Sequence, residues 1–143
     1  MSQLSLCILS LFLSLISSAT KEIEKSFLQN NSQLLYSLLS SARPINISLP
    51  EPLSFSDEVS REQAYFLFKQ IFRSYATSEF YPETGPPPSL ARGVYIFKAS
   101  WSFTGRNRNL SRLRVYFYMR SEPRPSKPGD FWKITEIKAE RLS

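Results

Sequence analysis

The stretch Ser60 to Tyr75, SREQAYFLFKQIFRSY, decides the fold. Ser60 is followed three residues later by Gln63, the spacing at which a serine hydroxyl accepts from the third backbone N–H of a helix while the glutamine side chain reaches back. Ala64, Leu67, Phe68, Ile71, Phe72 and Tyr75 then recur at helical intervals. They make an apolar stripe about 100° wide, which must be buried against another element.

The segments downstream supply that element. Val94 to Thr104 places Tyr95, Phe97, Ala99, Trp101 and Phe103 on one face of a strand, and Leu113, Val115, Phe117 and Met119 do the same in the next. Gly105 to Asn109 between them is a polar hairpin loop. Glu122 to Asp130 (EPRPSKPGD) reads as a second turn, and Phe131 to Arg141 as the last strand. The apolar period of that strand slips from Trp132 and Ile134 to Ile137 and Ala139, which predicts a bulge near Thr135 and Glu136. A bulged, strongly twisted sheet curls around the helices packed on it.

Upstream, residues 20 to 42 read as helix with Ile23, Phe27, Leu34, Leu35, Leu38 and Leu39 apolar, broken or re-capped at Asn30-Asn31-Ser32. Ile45 to Leu49 alternates and is stopped by Pro50-Glu51-Pro52, a short strand and a turn. Asp57 and Glu58 read as the acidic approach to the helix that Ser60 opens. Between Thr77 and Arg92, Phe80-Tyr81 suits a brief edge strand before the Pro86-Pro87-Pro88 run imposes an extended loop.

With 143 residues the chain is long enough for one domain that buries roughly two thirds of its unfolded surface without a metal or disulfide. Leu6 to Ile16 is an apolar run too short to span a bilayer, and Ser17-Ser18-Ala19 ends it with small residues. This has the form of a signal peptide at residues 1–19 cleaved after Ala19, although no Lys or Arg precedes the run; a retained anchor and a core helix are the alternatives. Residues 20–143 then form the mature domain, with no integral membrane segment left. The expected location is exported, periplasmic or secreted, in a bacterial envelope. Cys7 is the only cysteine, so the mature domain has no thiol chemistry and no disulfide. Asn30, Asn46 and Asn109 stand in Asn-x-Ser sites, which matter only in a eukaryotic secretory pathway. The net charge of +6 favours anionic partners, whether acidic glycans, lipid headgroups or nucleic acid, or serves solubility alone.

The order helix, short strand, helix, then long antiparallel strands resembles the nuclear transport factor 2-like (cystatin-like) superfamily, and within it the bacterial exported family named domain of unknown function 4783. The residues that carry the resemblance are Ile47-Ser48-Leu49-Pro50, Ser60-Arg-Glu-Gln-Ala64 with Phe68 and Phe72, Arg114-Val-Tyr-Phe117, and Trp132-Lys-Ile134 with Ile137. It implies an α+β fold in which N-terminal helices pack in the concave face of a curved antiparallel sheet, shaped as a cone. It lends an exported location and no established activity. Superfamily members often dimerise sheet to sheet, which implies a homodimer as an option here.

The chain has no histidine and no Gly-rich phosphate loop, which removes the commonest general base and argues against nucleotide hydrolysis. No cofactor or metal is expected. Some enzymes of the superfamily use an Asp or Glu base with a Tyr donor inside the cone; Glu136, beside Ile134 and Ile137 where the strand period slips, is the candidate acid, since burial would make it a stronger base and fit it for proton abstraction. A bulge that turns Glu136 out to solvent is the simpler alternative. On the outward face of the strand from 112 to 120, Arg112, Arg114, Tyr116, Tyr118 and Arg120 alternate with the core set. That composition suits a homodimer or protein interface, or a solvated sheet face whose long stems cover their neighbours. Binding of single-stranded nucleic acid through it is disfavoured by export. The reading preferred on these grounds is a non-catalytic exported domain that binds a protein partner, itself or a small apolar ligand, with Tyr95, Phe97, Trp101 and Phe103 lining any pocket. A cone-fold enzyme using Glu136 and a tyrosine for proton transfer is the alternative.

Overall fold

The computed structural model describes residue 7, residues 18–84, 93–122 and 132–142. The apolar run at the N-terminus (apart from Cys7), the polyproline segment at 86–88 and most of the turn from 122 to 130 lie outside the described residues. Ala19, where cleavage is expected, is described and is buried. No described helix is long and apolar enough to cross a membrane.

The helices are α1 (18–28), α2 (Ser32–Leu38) and α3 (Arg61–Ser74). The strands are β1 (Ile45–Leu49), β2 (Phe55–Val59), β3 (Ala76–Pro82), β4 (Val94–Thr104), β5 (Leu110–Ser121) and β6 (Trp132–Arg141). They form one six-stranded sheet in the order β2-β1-β6-β5-β4-β3. The sheet is curved and unclosed, with the helices on its concave face, the α+β cone expected from the sequence. It is antiparallel except where β1 runs parallel to β6, Ile47 opposite Ile137.

The capping box forms as the Ser60 spacing predicts. The Gln63 N–H donates to Ser60 Oγ at 3.1 Å, and the Ser60 N–H donates to Gln63 Oε1 at 2.9 Å. Ala64, Phe68, Ile71 and Phe72 of α3 are buried, with Leu67 and Tyr75 packed at the edge of the core. The break in the first helical region is also where expected: Asn31 caps α2, its side chain accepting from the Leu34 N–H at 3.1 Å. The helical reading to residue 42 is too long, because α2 stops at Leu38 and Leu39 bridges in parallel to Ile134.

Two strands differ from expectation. Asp57 and Glu58 belong to β2, an edge strand paired antiparallel to β1, rather than to a helix approach. Two exposed acids are tolerated there because an edge strand has one side open to water, and charge on an edge discourages strand addition. The edge strand expected at Phe80-Tyr81 extends over all of β3, paired along β4 with a bulge between Thr77 and Glu79. The slip in β6 is the expected bulge. Tyr118 pairs with Glu136 while Met119 pairs with Ile134, leaving Thr135 unpaired, and the Thr135 hydroxyl donates to the Tyr118 carbonyl at 3.2 Å. The extra residue resets the alternation, so that both Ile134 and Ile137 are fully buried.

Candidate functional site

The concave side is filled by rings. Phe27 of α1 has no exposed surface, and its ring centroid lies 4.8 Å from that of Phe80, 5.0 Å from Trp101, 5.2 Å from Phe72, 5.5 Å from Phe117 and 6.0 Å from Phe68. Most of these contacts are edge-to-face, the arrangement the ring quadrupoles favour. Of the pocket candidates, Phe97 stacks on Phe117 and Trp101 lies against Phe103, all buried. The Trp101 Nε1–H donates to Thr77 Oγ1 at 2.9 Å, which satisfies its one polar atom. Tyr95 is half-buried at the margin, where burial pushes its hydroxyl above the ordinary tyrosine range. None of the recesses described below is lined by these four residues.

Glu136 is on the other side of the sheet. It pairs with Tyr118 and, across β6, with Asn46, both on the outer face. With Asn46, Ser48, Asp57 and Glu58 it borders a shallow recess of about 240 Å³. The bulge at Thr135 is the reason, since it places two isoleucines inward and the acid between them outward. The buried polar side chains among the described residues are Ser26, Ser40, Ser102 and Lys133, none of them a carboxylate.

Arg112, Arg114, Tyr116, Tyr118 and Arg120 all lie on this outer face, as their alternation with Leu113, Val115, Phe117 and Met119 requires. The register aligns them with neighbouring strands in rows. One row is Ile96, Tyr118 and Glu136; the next is Lys98, Tyr116 and Lys138; the third is Tyr81, Ser100, Arg114 and Glu140. Arg114 Nε lies 3.1 Å from both carboxylate oxygens of Glu83, and its Nη1 lies 3.4 Å from Glu140 Oε1. The Tyr116 hydroxyl donates to the same Glu140 oxygen at 2.9 Å. The hydrogen bond to Glu140 raises the Tyr116 pKa, and Glu83 holds the Arg114 guanidinium still more firmly protonated than usual. Lys98 Nζ stands 5.8 Å from the centre of the Tyr116 ring. Beside this network Ile96 and Tyr81 are 43% and 60% exposed, so apolar surface lies next to side chains already held in place.

A further recess, about 1160 Å³, opens at the end of the cone where α3, the β1–β2 turn, the β4–β5 hairpin and β6 finish together. Its wall includes Glu51, Tyr75, Arg106, Asn107, Asn109 and Arg141. Sequence reasoning missed it. The residues come from four separate elements, and the only local sign was the Arg-Asn-Arg-Asn run at 106–109, which reads simply as a polar loop.

No family model matches the chain, and no curated protein does. Its fold is similar to solved structures at low sequence identity. A domain of unknown function 4783 family protein from Bacteroides ovatus aligns with a TM-score of 0.59 at 14% identity, over 85% of this chain and 93% of that one. A nuclear transport factor 2-like protein from Cytophaga hutchinsonii aligns with a TM-score of 0.59 at 12% identity, over 99% and 100% of the two chains. A nuclear transport factor 2-like protein of unknown function in nutrient uptake from Rhodospirillum rubrum aligns with a TM-score of 0.62 at 11% identity, over 90% and 98%. The fold is thus the nuclear transport factor 2-like cone.

Proposed function

We propose that this chain is an exported, non-catalytic binding domain whose docking surface is the outer face of the sheet around Tyr116 and Tyr118, and that its first partner is a second copy of itself. The observation that carries this reading is the Glu83–Arg114–Glu140–Tyr116 network, which holds four polar side chains in place next to the exposed Ile96 and Tyr81. Ordering long side chains before contact reduces the entropy lost on binding, and Tyr and Arg are the residue types that most often dominate interfaces. The ring-filled interior around Phe27 weighs against a small apolar ligand inside the cone, and the outward Glu136 weighs against proton transfer there. The apolar run from Leu6 to Ile16 supports export.

Size-exclusion chromatography with light scattering tests the reading. The expected result is a dimer mass for the wild type and a monomer mass for the Tyr116→Ser/Tyr118→Ser double variant, with unchanged far-ultraviolet circular dichroism. A wild type that stays monomeric at high concentration removes the homodimer.

A further inference from the structure

The recess at the hairpin end differs from the outer sheet face in how its charges are used. Arg106 and Arg141 are both exposed and line its wall, where the single carboxylate is Glu51. Neither guanidinium is in an ion pair among the described residues, whereas Arg114 on the sheet lies between two acids. Two more arginines stand at the same end: Arg73, next to the lining residue Ser74, and Arg108, in the same hairpin as Arg106. All are arginines, whose planar fork matches the two oxygens of a carboxylate or the face of a sulfate better than a lysine does.

The rest of the lining is suited to hydroxyl groups. Asn107, Asn109 and Ser54 offer amide and hydroxyl partners. Tyr75 supplies an aromatic surface and is fixed in position. Its ring meets Phe103 edge-on at 5.2 Å, and Gly105 packs so closely on it that an added Cβ would lie 3.1 Å from Tyr75 Cε1. An open cleft with one aromatic surface, neutral polar groups and two unpaired guanidiniums fits a chain of sugars bearing acid groups. A single-stranded nucleic acid calls for a series of stacking rings, and this wall has one.

We infer that this recess binds an acidic oligosaccharide, one carrying carboxylate or sulfate groups, through Arg106 and Arg141 with Tyr75 as the surface on which a sugar ring rests. The site is independent of the outer-face docking surface, since Arg106, Arg141 and Tyr75 lie outside the Tyr116 network.

Isothermal titration with a defined oligogalacturonate and a heparin-derived hexasaccharide, at low and at moderate salt, is the test. Binding of at least one is expected, weaker as salt rises. Arg106→Ala and Arg141→Ala are each expected to weaken it by roughly tenfold, as loss of a charge-assisted contact implies. Arg43→Ala, which removes the same charge from an exposed position before the start of β1, away from the recess and from the outer-face docking surface, is expected to leave binding unchanged. Absence of binding to both sugars overturns the inference, and so does an equal loss in Arg43→Ala, which would mean attraction to net charge alone. Phosphatidylglycerol vesicles and an oligodeoxythymidylate run alongside; Arg106-dependent binding of either, with neither sugar bound, overturns it as well.

Discussion

The side-chain amide of Asn30 donates to the Tyr75 carbonyl at 2.7 Å and to the Phe72 carbonyl at 2.9 Å, while its oxygen accepts from the Thr77 N–H at 3.3 Å. Asn30 follows the end of α1 with φ of 49°, the left-handed conformation that asparagine tolerates better than most residues. One side chain from the first helical region therefore closes the C-terminus of α3 and the start of β3, where helix carbonyls would otherwise lack partners.

Asn30→Ala is expected to destabilise the fold by about 1–3 kcal/mol, because two acceptors and one donor lose their partner in a part-buried place. Asn30→Gly relieves the backbone cost of the left-handed conformation but not the lost hydrogen bonds, so it should fall between wild type and Asn30→Ala. Urea unfolding of the three proteins measures this. Equal midpoints would show that water replaces the asparagine without cost.

Phe27 sits among five aromatic neighbours, and Phe27→Ala is expected to cost about 3–5 kcal/mol from lost transfer energy and the cavity left behind. If the variant still folds, the dry cavity should take up a small aromatic molecule and regain part of its thermal stability. A drop below about 1 kcal/mol would mean the surrounding rings collapse into the space.

The capping box is testable by a double-mutant cycle. Ser60→Ala is expected to cost about 1 kcal/mol, and Gln63→Ala less. Because the two side chains satisfy each other's backbone groups, the double variant should lose less than the sum of the single losses. Simple additivity in thermal unfolding would show that they act independently.

Tyr116 provides a pH prediction. Its hydrogen bond to Glu140 raises its pKa above the ordinary value of 10.0, so the folded protein holds the phenol proton more firmly than the unfolded chain does. The stabilisation is fully present below the unfolded value and is lost as pH rises through the raised one. Tyrosinate absorbance, read as the difference between wild type and Tyr116→Phe, should show ionisation above the ordinary range. Glu140→Ala should bring it back down, and no movement would show that Glu140 does not hold the proton.

Local patterns made much of the fold legible. The spacing of Ser60 and Gln63 set the start of α3, the two-residue alternation of β4 and β5 set which side chains face inward, and the slip in β6 located the bulge at Thr135. Each of these depends on residues a few positions apart, and steric and hydrogen-bonding rules act at that range. β2 was not legible because Phe55 to Val59 carries two acids that suit a helix approach equally well; it is a strand because β1 offers it a partner.

The sequence by itself determined the starts of α2 and α3, the inward faces of the long strands and the outward position of Arg112, Arg114, Tyr116, Tyr118 and Arg120. Only the tertiary structure decided that Phe27 fills the concave side, that Glu136 faces away from it, that Asn30 caps a distant helix and that Arg106 and Arg141 line one recess. The physical reason is range: periodicity reports which way a side chain points from its own backbone, whereas a shared cavity or a hydrogen bond between distant segments exists only once the sheet has curved and those segments have been brought together.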